Sequence, residues 1–291
     1  MKVLVTGATG FTGSHVVPRL LQENLEVSCF VRSTSDFSSL PVSQVRVIYG
    51  DLSDPASLTT ALAGMDVLIN IASLGFGHAE NIVSAAVQAG VSKAIFISTT
   101  AIFTQLNVNS KSTRLAAEST ITQSQLPYTI LRPTMIYGSI RDRNMYRLIR
   151  YLLRWPIIPI FGDGRSLQQP VYVEDVAQAV AQSLLSKRTV NKAYNISGAD
   201  PLTYTQVIDT ICEQIKRKVQ KIYVPYSPIA KGLSMMERVQ IPFPVKAEQI
   251  LRLNENKNFD HSDATDDFGY RPHSFAEGIA FELATLSHKQ K

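Results

Sequence analysis

The chain has 291 residues, of which 45% are hydrophobic and 18% are charged, and its formal net charge is +5 at pH 7. This length accommodates a full doubly wound domain with a smaller lobe, and the composition is ordinary for a soluble globular protein. The modest charge gives no nucleic-acid-binding footprint, and no apolar run reaches the length of about 18 residues that predicts a membrane span.

The chain opens with a strand that runs directly into a glycine-rich loop and then into a helix. The strand is the β-branched run from Val3 to Val5, and three glycines follow it before a helical pattern begins. This order places free backbone N–H groups and the positive end of a helix against a pyrophosphate. We therefore predict a dinucleotide site in this loop, with contacts from Gly7, Thr9, Gly10, Phe11, Thr12 and Gly13.

Short apolar runs alternate with helical patterns through the first half of the chain. The predicted strands are 2–5, 26–31, 45–49, 67–71, 93–98 and 128–131, and the predicted helices are 13–22, 55–63, 78–89 and 112–125. Continuous apolar strands joined by helical crossovers are typical of a parallel sheet covered on both faces. The predicted fold is α/β, a Rossmann-type doubly wound parallel sheet, whose ligands should lie at the carboxyl ends of the strands.

The strict alternation ends near Pro133, where proline-rich and aromatic stretches begin. The run from Trp155 to Phe161 is too short and too interrupted by proline to span a bilayer, and we expect it to cover a substrate cleft. Further along, we expect the chain around Val171–Leu185 to return to the main sheet.

These patterns divide the chain into two predicted units. The first is a nucleotide-binding domain over residues 1–138, to which residues 169–196 return. The second is a smaller C-terminal lobe for a substrate or a partner, formed by residues 139–168 and 197–291. We find no internal repeat and no long linker between the two units.

The end of the second strand bears on the choice of nucleotide. Proteins of this fold that prefer NAD place an acidic residue near this position, where it accepts hydrogen bonds from the ribose 2′-hydroxyl. Arg32 stands here instead, and a guanidinium accepts no hydrogen bond but pairs well with a 2′-phosphate. We therefore favour NADP over NAD. Asp36, further along the loop, keeps NAD open, and a solvated charge at the strand end is the plain alternative for Arg32.

Several later motifs, together with the Gly-x-x-Gly-x-x-Gly spacing, resemble those of one family. They are Tyr128-Thr-Ile-Leu-Arg-Pro-Thr-Met-Ile-Tyr-Gly138, Gly162-Asp-Gly164, Pro170-Val-Tyr-Val-Glu-Asp-Val176, Tyr194-Asn-Ile-Ser-Gly198 and Asp267-Phe-Gly-Tyr-Arg-Pro272. Over nearly its whole length the chain resembles the extended and atypical short-chain dehydrogenases/reductases, in particular the NAD-dependent epimerase/dehydratase group. The resemblance implies a nicotinamide cofactor bound along the strand ends.

The resemblance also implies further cofactor contacts. The matching positions are Asp51 and Leu52 beside the adenine, Ala72 and Ser73 beneath the cofactor, and Pro133 and Met135 against the nicotinamide. Asp51 has an alternative interpretation as the N-cap of the helix that follows, although Ser53 or Asp54 is better placed for that role.

The sequence departs from the family's pattern at the catalytic residues. The family uses a Ser or Thr at the end of the fifth strand, and a Tyr four residues before a Lys that holds the ribose. By register Thr99 matches the Ser or Thr. Glu118 fixes the spacing that follows, which puts Ser110 in the Tyr slot and Arg114 in the Lys slot. A serine does not ionise near neutral pH without a base, and an arginine is effectively never deprotonated, so the usual acid/base pair is absent.

Two functions are compatible with this departure. The leading hypothesis is an NADP-linked oxidoreductase or epimerase-like enzyme. In it Thr99 and Ser110 orient the substrate, Arg114 holds the ribose, and another group moves the proton. The candidates for that group are Tyr137, Tyr146 and Tyr172. The alternative is a catalytically silent NADP-binding redox sensor or assembly scaffold, with a partner surface near Ile229–Val239. In either case Ser110 can simply belong to the start of a helix.

The substrate of such an enzyme would be a small molecule, either a nucleotide sugar or another anionic compound. Sugar-nucleotide enzymes of the group often carry an Arg shortly before the Val-Tyr-Val stretch, and Gln168 and Gln169 occupy that place here. Arg141, Arg143 and Arg165 are alternative anion ligands, or exposed residues of the lobe.

The remaining features bear on partners and compartment. Cys29 and Cys212 are the only cysteines, which suggests a reducing compartment, and we expect a cytoplasmic protein. The five histidines and two cysteines have no metal-ligand spacing, so we predict no metal. We expect no nucleic-acid partner and no membrane span, and a homodimer through two helices of the sheet domain is the habit of the family.

Overall fold

The computed structural model describes residues 1–106, 109–226 and 251–288, so the predicted partner surface near Ile229–Val239 lies outside the described residues. The strands are β1 (Lys2–Thr6), β2 (Glu26–Val31), β3 (Arg46–Tyr49), β4 (Val67–Asn70), β5 (Lys93–Ile97), β6 (Tyr128–Pro133), β7 (Ile136–Tyr137), β8 (Ile157–Phe161), β9 (Leu167–Gln168), β10 (Val171–Tyr172), β11 (Lys192–Ile196), β12 (Leu202–Thr203) and β13 (Gln220–Val224). The helices are α1 (Gly13–Gln22), α2 (Pro55–Leu62), α3 (Ala79–Ala89), α4 (Asn109–Gln123), α5 (Met145–Arg154), α6 (Val173–Leu185), α7 (Tyr204–Gln214), α8 (Ser262–Phe268) and α9 (Phe275–His288).

Seven strands form one sheet in the order β11-β6-β5-β4-β1-β2-β3. Every neighbouring pair in it is parallel. The order runs outward in opposite directions from β1 and β4, so a crevice is expected at the carboxyl ends of these two strands. The sheet is doubly wound and of the Rossmann type, which confirms the predicted fold class.

The central strands are buried on both faces because helices cover both. Val5 shares one core with Val17 of α1 and Val180 of α6. Its neighbour Leu4 points the other way and shares a second core with Ile121 of α4. Successive side chains of a strand alternate between the two faces, which explains why these strands are apolar at nearly every position.

The sequence patterns predict ten elements in the first half of the chain, and nine of them agree with the structure to within two residues at each end. Strand β2 and helix α1 have the predicted bounds, whereas α4 begins at Asn109, three residues before the prediction. The expectation for Val171–Leu185 is wrong in one respect. Strand β10 pairs with β7 outside the main sheet, α6 then packs against the sheet, and β11 supplies the seventh strand. A two-residue strand is too short for its pattern to identify its partner.

Outside the main sheet, the described residues form three two-stranded sheets. Strands β7 and β10 are parallel, as are β8 and β13, whereas β9 and β12 are antiparallel. A third hydrophobic core joins Ile149 of α5, Ile160 of β8, Ile208 of α7 and Ile279 of α9. Among the described residues, no helix combines the length and apolar character needed to cross a membrane.

A buried lysine ties the sheet to the end of helix α6. Lys93 of β5 is 8% exposed, and its Nζ donates to Ser183 O at 2.5 Å, to Ser186 O at 3.2 Å and to Thr189 Oγ1 at 2.8 Å. The last carbonyl groups of a helix have no donor within the helix, and this ammonium supplies one. Burial lowers the pKa of Lys93 to about 8.

Candidate functional site

The loop between β1 and α1 is shaped for close approach of a diphosphate. Gly7 has a φ of 70°, and a Cβ there would lie 2.6 Å from the backbone N of Ala72. A Cβ at Gly13 would lie 2.2 Å from the carbonyl oxygen of Gly7. Side chains at these positions would therefore collide with backbone, and the glycines let the first turn of α1 approach the loop. The N–H groups of this loop and the positive end of α1 form a donor set that fits the pyrophosphate of a dinucleotide.

A cleft of about 400 Å³ opens at the carboxyl ends of β1 to β4, and we call it the nucleotide cleft. Eight residues predicted to bind the cofactor line it, namely Gly7, Thr9, Gly10, Arg32, Asp51, Leu52, Ala72 and Ser73. Eight further residues line the cleft but were not predicted from the sequence. They are Thr6, Phe30, Val31, Ser35, Gly50, Ile71, Phe76 and His78. Most of these follow or end one of the four strands, and that position was the signal available to find them.

The other predicted cofactor residues lie outside this lining. Phe11 packs edge-on against His15 with their ring centroids 5.8 Å apart, and Thr12 is the N-cap residue of α1. Pro133 ends β6, and its carbonyl oxygen accepts a hydrogen bond from Thr100 Oγ1 at 3.4 Å. Met135 is partly buried against the third core. Their contacts with a cofactor stay predictions.

Two buried polar side chains fix the loop beneath the nucleotide cleft. Thr6 and Asn70 are opposite each other in the β1–β4 register, and Thr6 Oγ1 donates to Asn70 Oδ1 at 2.7 Å. Asn70 Nδ2 then donates to the carbonyl oxygen of Ala72 at 2.9 Å. These two hydrogen bonds hold Ala72 against Gly7. The shape of the cleft therefore depends on a polar pair that was not predicted from the sequence.

The acidic residues near Arg32 are engaged in local turns. Ser38 donates to Asp36 through its backbone N and its hydroxyl, each at 2.9 Å, and these bonds lower the pKa of Asp36. Asp51 accepts from Ser53 in the same way, which lowers the pKa of Asp51. The N-cap of α2 is Asp54, not Asp51. Arg32 also lines this end of the cleft, and its positive charge contributes to the lowered pKa of Asp51.

The side chains of Ser110 and Arg114 are hydrogen-bonded to each other. Arg114 Nη1 donates to Ser110 Oγ at 2.7 Å, and the same guanidinium lies where a Cβ on Gly75 would come within 3.3 Å of its Nε. Burial, with the nearby positive charge of Arg252, lowers the pKa of Arg114. Thr99 Oγ1 accepts from the backbone N of Ala101 at 3.2 Å and keeps its own proton as a donor. Ser110 lies in the first turn of α4, in accord with its helical interpretation.

Two of the three candidate tyrosine acids are poorly suited to proton transfer. Tyr137 is 1% exposed, and burial raises its pKa far above the ordinary value. Its hydroxyl donates to the carbonyl oxygen of Phe275 at 3.5 Å. Burial also raises the pKa of Tyr172 to about 12. A tyrosine that acts as an acid/base near neutral pH needs the opposite shift.

The candidate anion ligands are dispersed over the molecule. Gln168 and Gln169 are buried, and Gln169 is bound to backbone groups rather than presented to a ligand. Arg165 borders a separate open hollow beside β13. Arg141 reaches across to the phosphate loop, where its Nη2 donates to the carbonyl oxygen of Thr9 at 2.6 Å. No group of three or more His, Cys, Asp or Glu side chains is placed to hold a metal ion within the described ranges.

The doubly wound sheet, the glycine loop and the cleft at the strand ends together define a dinucleotide-binding protein. A family model described as NAD(P)H-binding matches residues 7–187, and the chain belongs to this family. The predicted resemblance to the epimerase/dehydratase group extends to the fold, which solved epimerase structures share. One is UDP-glucuronic acid 4-epimerase from Bacillus cereus in complex with NAD, with a TM-score of 0.78, 21% identity and 100% of both chains covered.

Curated relatives are of two further kinds. NADH dehydrogenase (ubiquinone) 1 alpha subcomplex subunit 9, mitochondrial, of Arabidopsis thaliana is 24% identical over 273 residues, which cover 86% of this chain and 67% of that protein. Photosystem II assembly factor Ycf39 of Trieres chinensis is 24% identical over 233 residues, which cover 76% of this chain and 71% of that protein.

Proposed function

We propose that this chain binds NADP in the nucleotide cleft and holds it as a resident ligand, without the proton transfer of the dehydrogenases it resembles. The observation that carries the proposal is the hydrogen bond from Arg114 Nη1 to Ser110 Oγ, at 2.7 Å. These two residues stand where the family has its Tyr–Lys pair. A serine hydroxyl ionises near neutral pH only with a base beside it, and the guanidinium cannot accept a proton, so the pair by itself can bind a ribose but cannot run acid/base chemistry.

The choice of NADP rests on charge at the ribose end of the cleft. Arg32 lines this end, and its guanidinium suits a 2′-phosphate with bidentate, charge-assisted hydrogen bonds. The carboxylate of Asp36, which would favour a free 2′-hydroxyl, already accepts two hydrogen bonds from Ser38. A 2′-phosphate therefore gains a cation in Arg32 at this end of the cleft.

The names of two curated relatives support an accessory role. One is a subunit of a larger NADH dehydrogenase, and the other is an assembly factor of photosystem II. Both names describe proteins that work with other polypeptides. We therefore propose that the chain, with NADP bound, presents a surface to a protein partner.

A second candidate is an oxidoreductase or epimerase-like enzyme that acts on an anionic small molecule. Two observations favour it. Thr99 Oγ1 keeps a proton with which to donate to a substrate oxygen. The positive charge of Arg252 lies close enough to Arg114 to lower its pKa, and two neighbouring guanidinium groups favour an anion between them. In this case a group other than Tyr137 or Tyr172 moves the proton.

The two candidates are separated by following the bound nucleotide. The purified protein is denatured and the released nucleotide is identified by mass spectrometry, and NADPH oxidation is then followed with a panel of nucleotide sugars and simple carbonyl compounds. We expect NADP or NADPH to bind with micromolar or tighter affinity and no member of the panel to be turned over. A rate that exceeds the protein-free rate and is abolished in Arg114→Met, at unchanged NADP affinity, would establish the enzyme instead.

A matched pair of variants sharpens this test. Ser110→Tyr with Arg114→Lys rebuilds the family's pair at its two positions, whereas Ser110→Ala with Arg114→Lys supplies the lysine without the acid. We expect the wild type and the second variant to be equally inactive. If the wild type turns over any substrate as fast as an active rebuilt variant does, the present residues suffice for catalysis and the proposal is wrong.

A further inference from the structure

Arg141 connects a loop far along the chain to the nucleotide cleft. It lies between β7 and α5, and its Nη2 donates to the carbonyl oxygen of Thr9, 132 positions earlier in the sequence, at 2.6 Å. Thr9 lines the cleft together with Arg32 and Ser35. The guanidinium of Arg141 therefore sits on the phosphate loop and not in a separate substrate pocket.

The charge of Arg141 also reaches the loop that follows β2. The pKa of Asp36 is lowered mainly by its hydrogen bonds from Ser38, and the positive charge of Arg141 contributes to the same shift. Asp36 follows Arg32 by four positions in this loop. Arg141 is thus hydrogen-bonded to the phosphate loop, and its charge is felt in the loop that carries Arg32; residues of both loops line the cleft.

The guanidinium of Arg141 has binding capacity left. It carries five N–H donors, and the hydrogen bond to Thr9 uses one of them in the described part of the chain. The side chain is exposed, so an incoming oxyanion can reach it without displacing packed protein. A neutral ribose hydroxyl gains little from a second cation, whereas a phosphate dianion gains a charge-assisted hydrogen bond.

The residue beside Arg141 is firmly anchored. Asp142 is 5% exposed, and its Oδ1 accepts from the backbone N of Asn144 at 3.0 Å and of Tyr146 at 3.1 Å at the start of α5. The loop that carries Arg141 is thereby held in place before a ligand arrives. Less side-chain and loop entropy is then lost when the guanidinium engages a phosphate.

We infer that Arg141 is a second cation, in addition to Arg32, for the 2′-phosphate of NADP. This inference rests on the proposed preference for NADP. It names a specificity residue that belongs to a loop outside the first six strands of the sheet.

The test measures binding rather than turnover. Affinities of the full chain for NADP, NAD, 2′,5′-ADP and 5′-AMP are determined by calorimetry for the wild type, Arg141→Ala, Arg141→Lys and Arg32→Ala. Arg143→Ala is the matched control, because Arg143 is exposed on the same loop. We expect Arg141→Ala to weaken NADP and 2′,5′-ADP at least about fivefold, to leave NAD and 5′-AMP within about twofold, and to be partly rescued by lysine. Arg143→Ala should leave all four affinities unchanged.

The outcomes distinguish this inference from the proposed function. If the wild type prefers NADP and Arg32→Ala is selective while Arg141→Ala is not, the inference is wrong and the NADP assignment stands. If Arg141→Ala weakens the affinity for NADP and for NAD equally, the residue only shapes the loop, and the inference is wrong in this case too. If the wild type binds NAD as tightly as NADP, the proposed preference and the inference fall together. A thermal melt of each variant confirms that the compared proteins are folded.

Discussion

Two carboxyl groups are buried side by side, and their chemistry makes a sharp prediction about stability. Glu282 of α9 is 0% exposed and Asp142 is 5% exposed. Asp142 Oδ2 and both oxygens of Glu282 are buried and receive no hydrogen bond from an amide, hydroxyl or cation among the described residues. Burial first, and then the charge and hydrogen bond of Asp142, raise the pKa of Glu282 to about 9. The neutral Glu282 carboxyl therefore supplies the proton that the two groups share.

The variant Glu282→Gln keeps a donor for Asp142 and removes the titration. The ordinary pKa of a glutamate, 4.5, applies to the unfolded chain, and the folded value is higher. The stabilisation from the protonated Glu282 is thus fully present below about pH 4.5. It is lost as the pH rises towards about 9, the pKa of Glu282 in the folded chain. At 1.36 kcal/mol per unit, this loss is about 3 kcal/mol at pH 7. We expect the variant to match the wild type near pH 5 and to be more stable by up to about 3 kcal/mol at pH 7.

The assay is urea unfolding followed by circular dichroism at half-unit steps from pH 5 to pH 8. Glu277→Gln is the control on the same helix, because Glu277 is exposed and its hydrogen bonds from Ser274 lower its pKa. That control should be slightly less stable than the wild type by an equal amount across this range, because a lowered carboxyl pKa gives its full stabilisation above about pH 4.5. Glu282→Leu leaves Asp142 Oδ2 buried without a donor and should be less stable than the wild type at pH 5. A constant difference between Glu282→Gln and the wild type across the whole range would refute a shared proton.

Three further predictions concern the loop, the sheet and the nucleotide. Gly13→Ala places a Cβ 2.2 Å from the carbonyl oxygen of Gly7, so we expect nucleotide affinity to fall at least about tenfold by calorimetry, and retained affinity would contradict the close loop–helix contact. Lys93→Met keeps the apolar stem but removes the ammonium that donates to the carbonyl oxygens of Ser183 and Leu184 at the end of α6, and should lower the free energy of unfolding by about 2 kcal/mol in urea melts. Arg32→Asp should weaken NADP binding at least about tenfold while NAD binding is equal or improved, and equal losses of both nucleotides would count against the charge argument.

The sequence alone was sufficient for features that depend on neighbours in the chain. The bounds of β2 and α1 follow from local apolar periodicity, and the glycine loop follows from the order strand, turn, helix within the first 13 residues. The predicted replacement of the Tyr–Lys pair by Ser110 and Arg114 is likewise inferred from the spacing of these residues from Glu118 in the sequence. A hydrogen bond between residues four apart on one helix is a local consequence of helical geometry.

Tertiary structure decided everything that depends on residues far apart in the chain. It buried Tyr137 and raised its pKa, and it brought Arg141 to the carbonyl of Thr9 across 132 positions. It also paired Asp142 with Glu282, although each alone has the pattern of an exposed charge. Periodicity reports which face of an element is buried, but it carries no information on which distant element covers that face. Burial and charge proximity set the chemistry of a site, and both are properties of the packed chain.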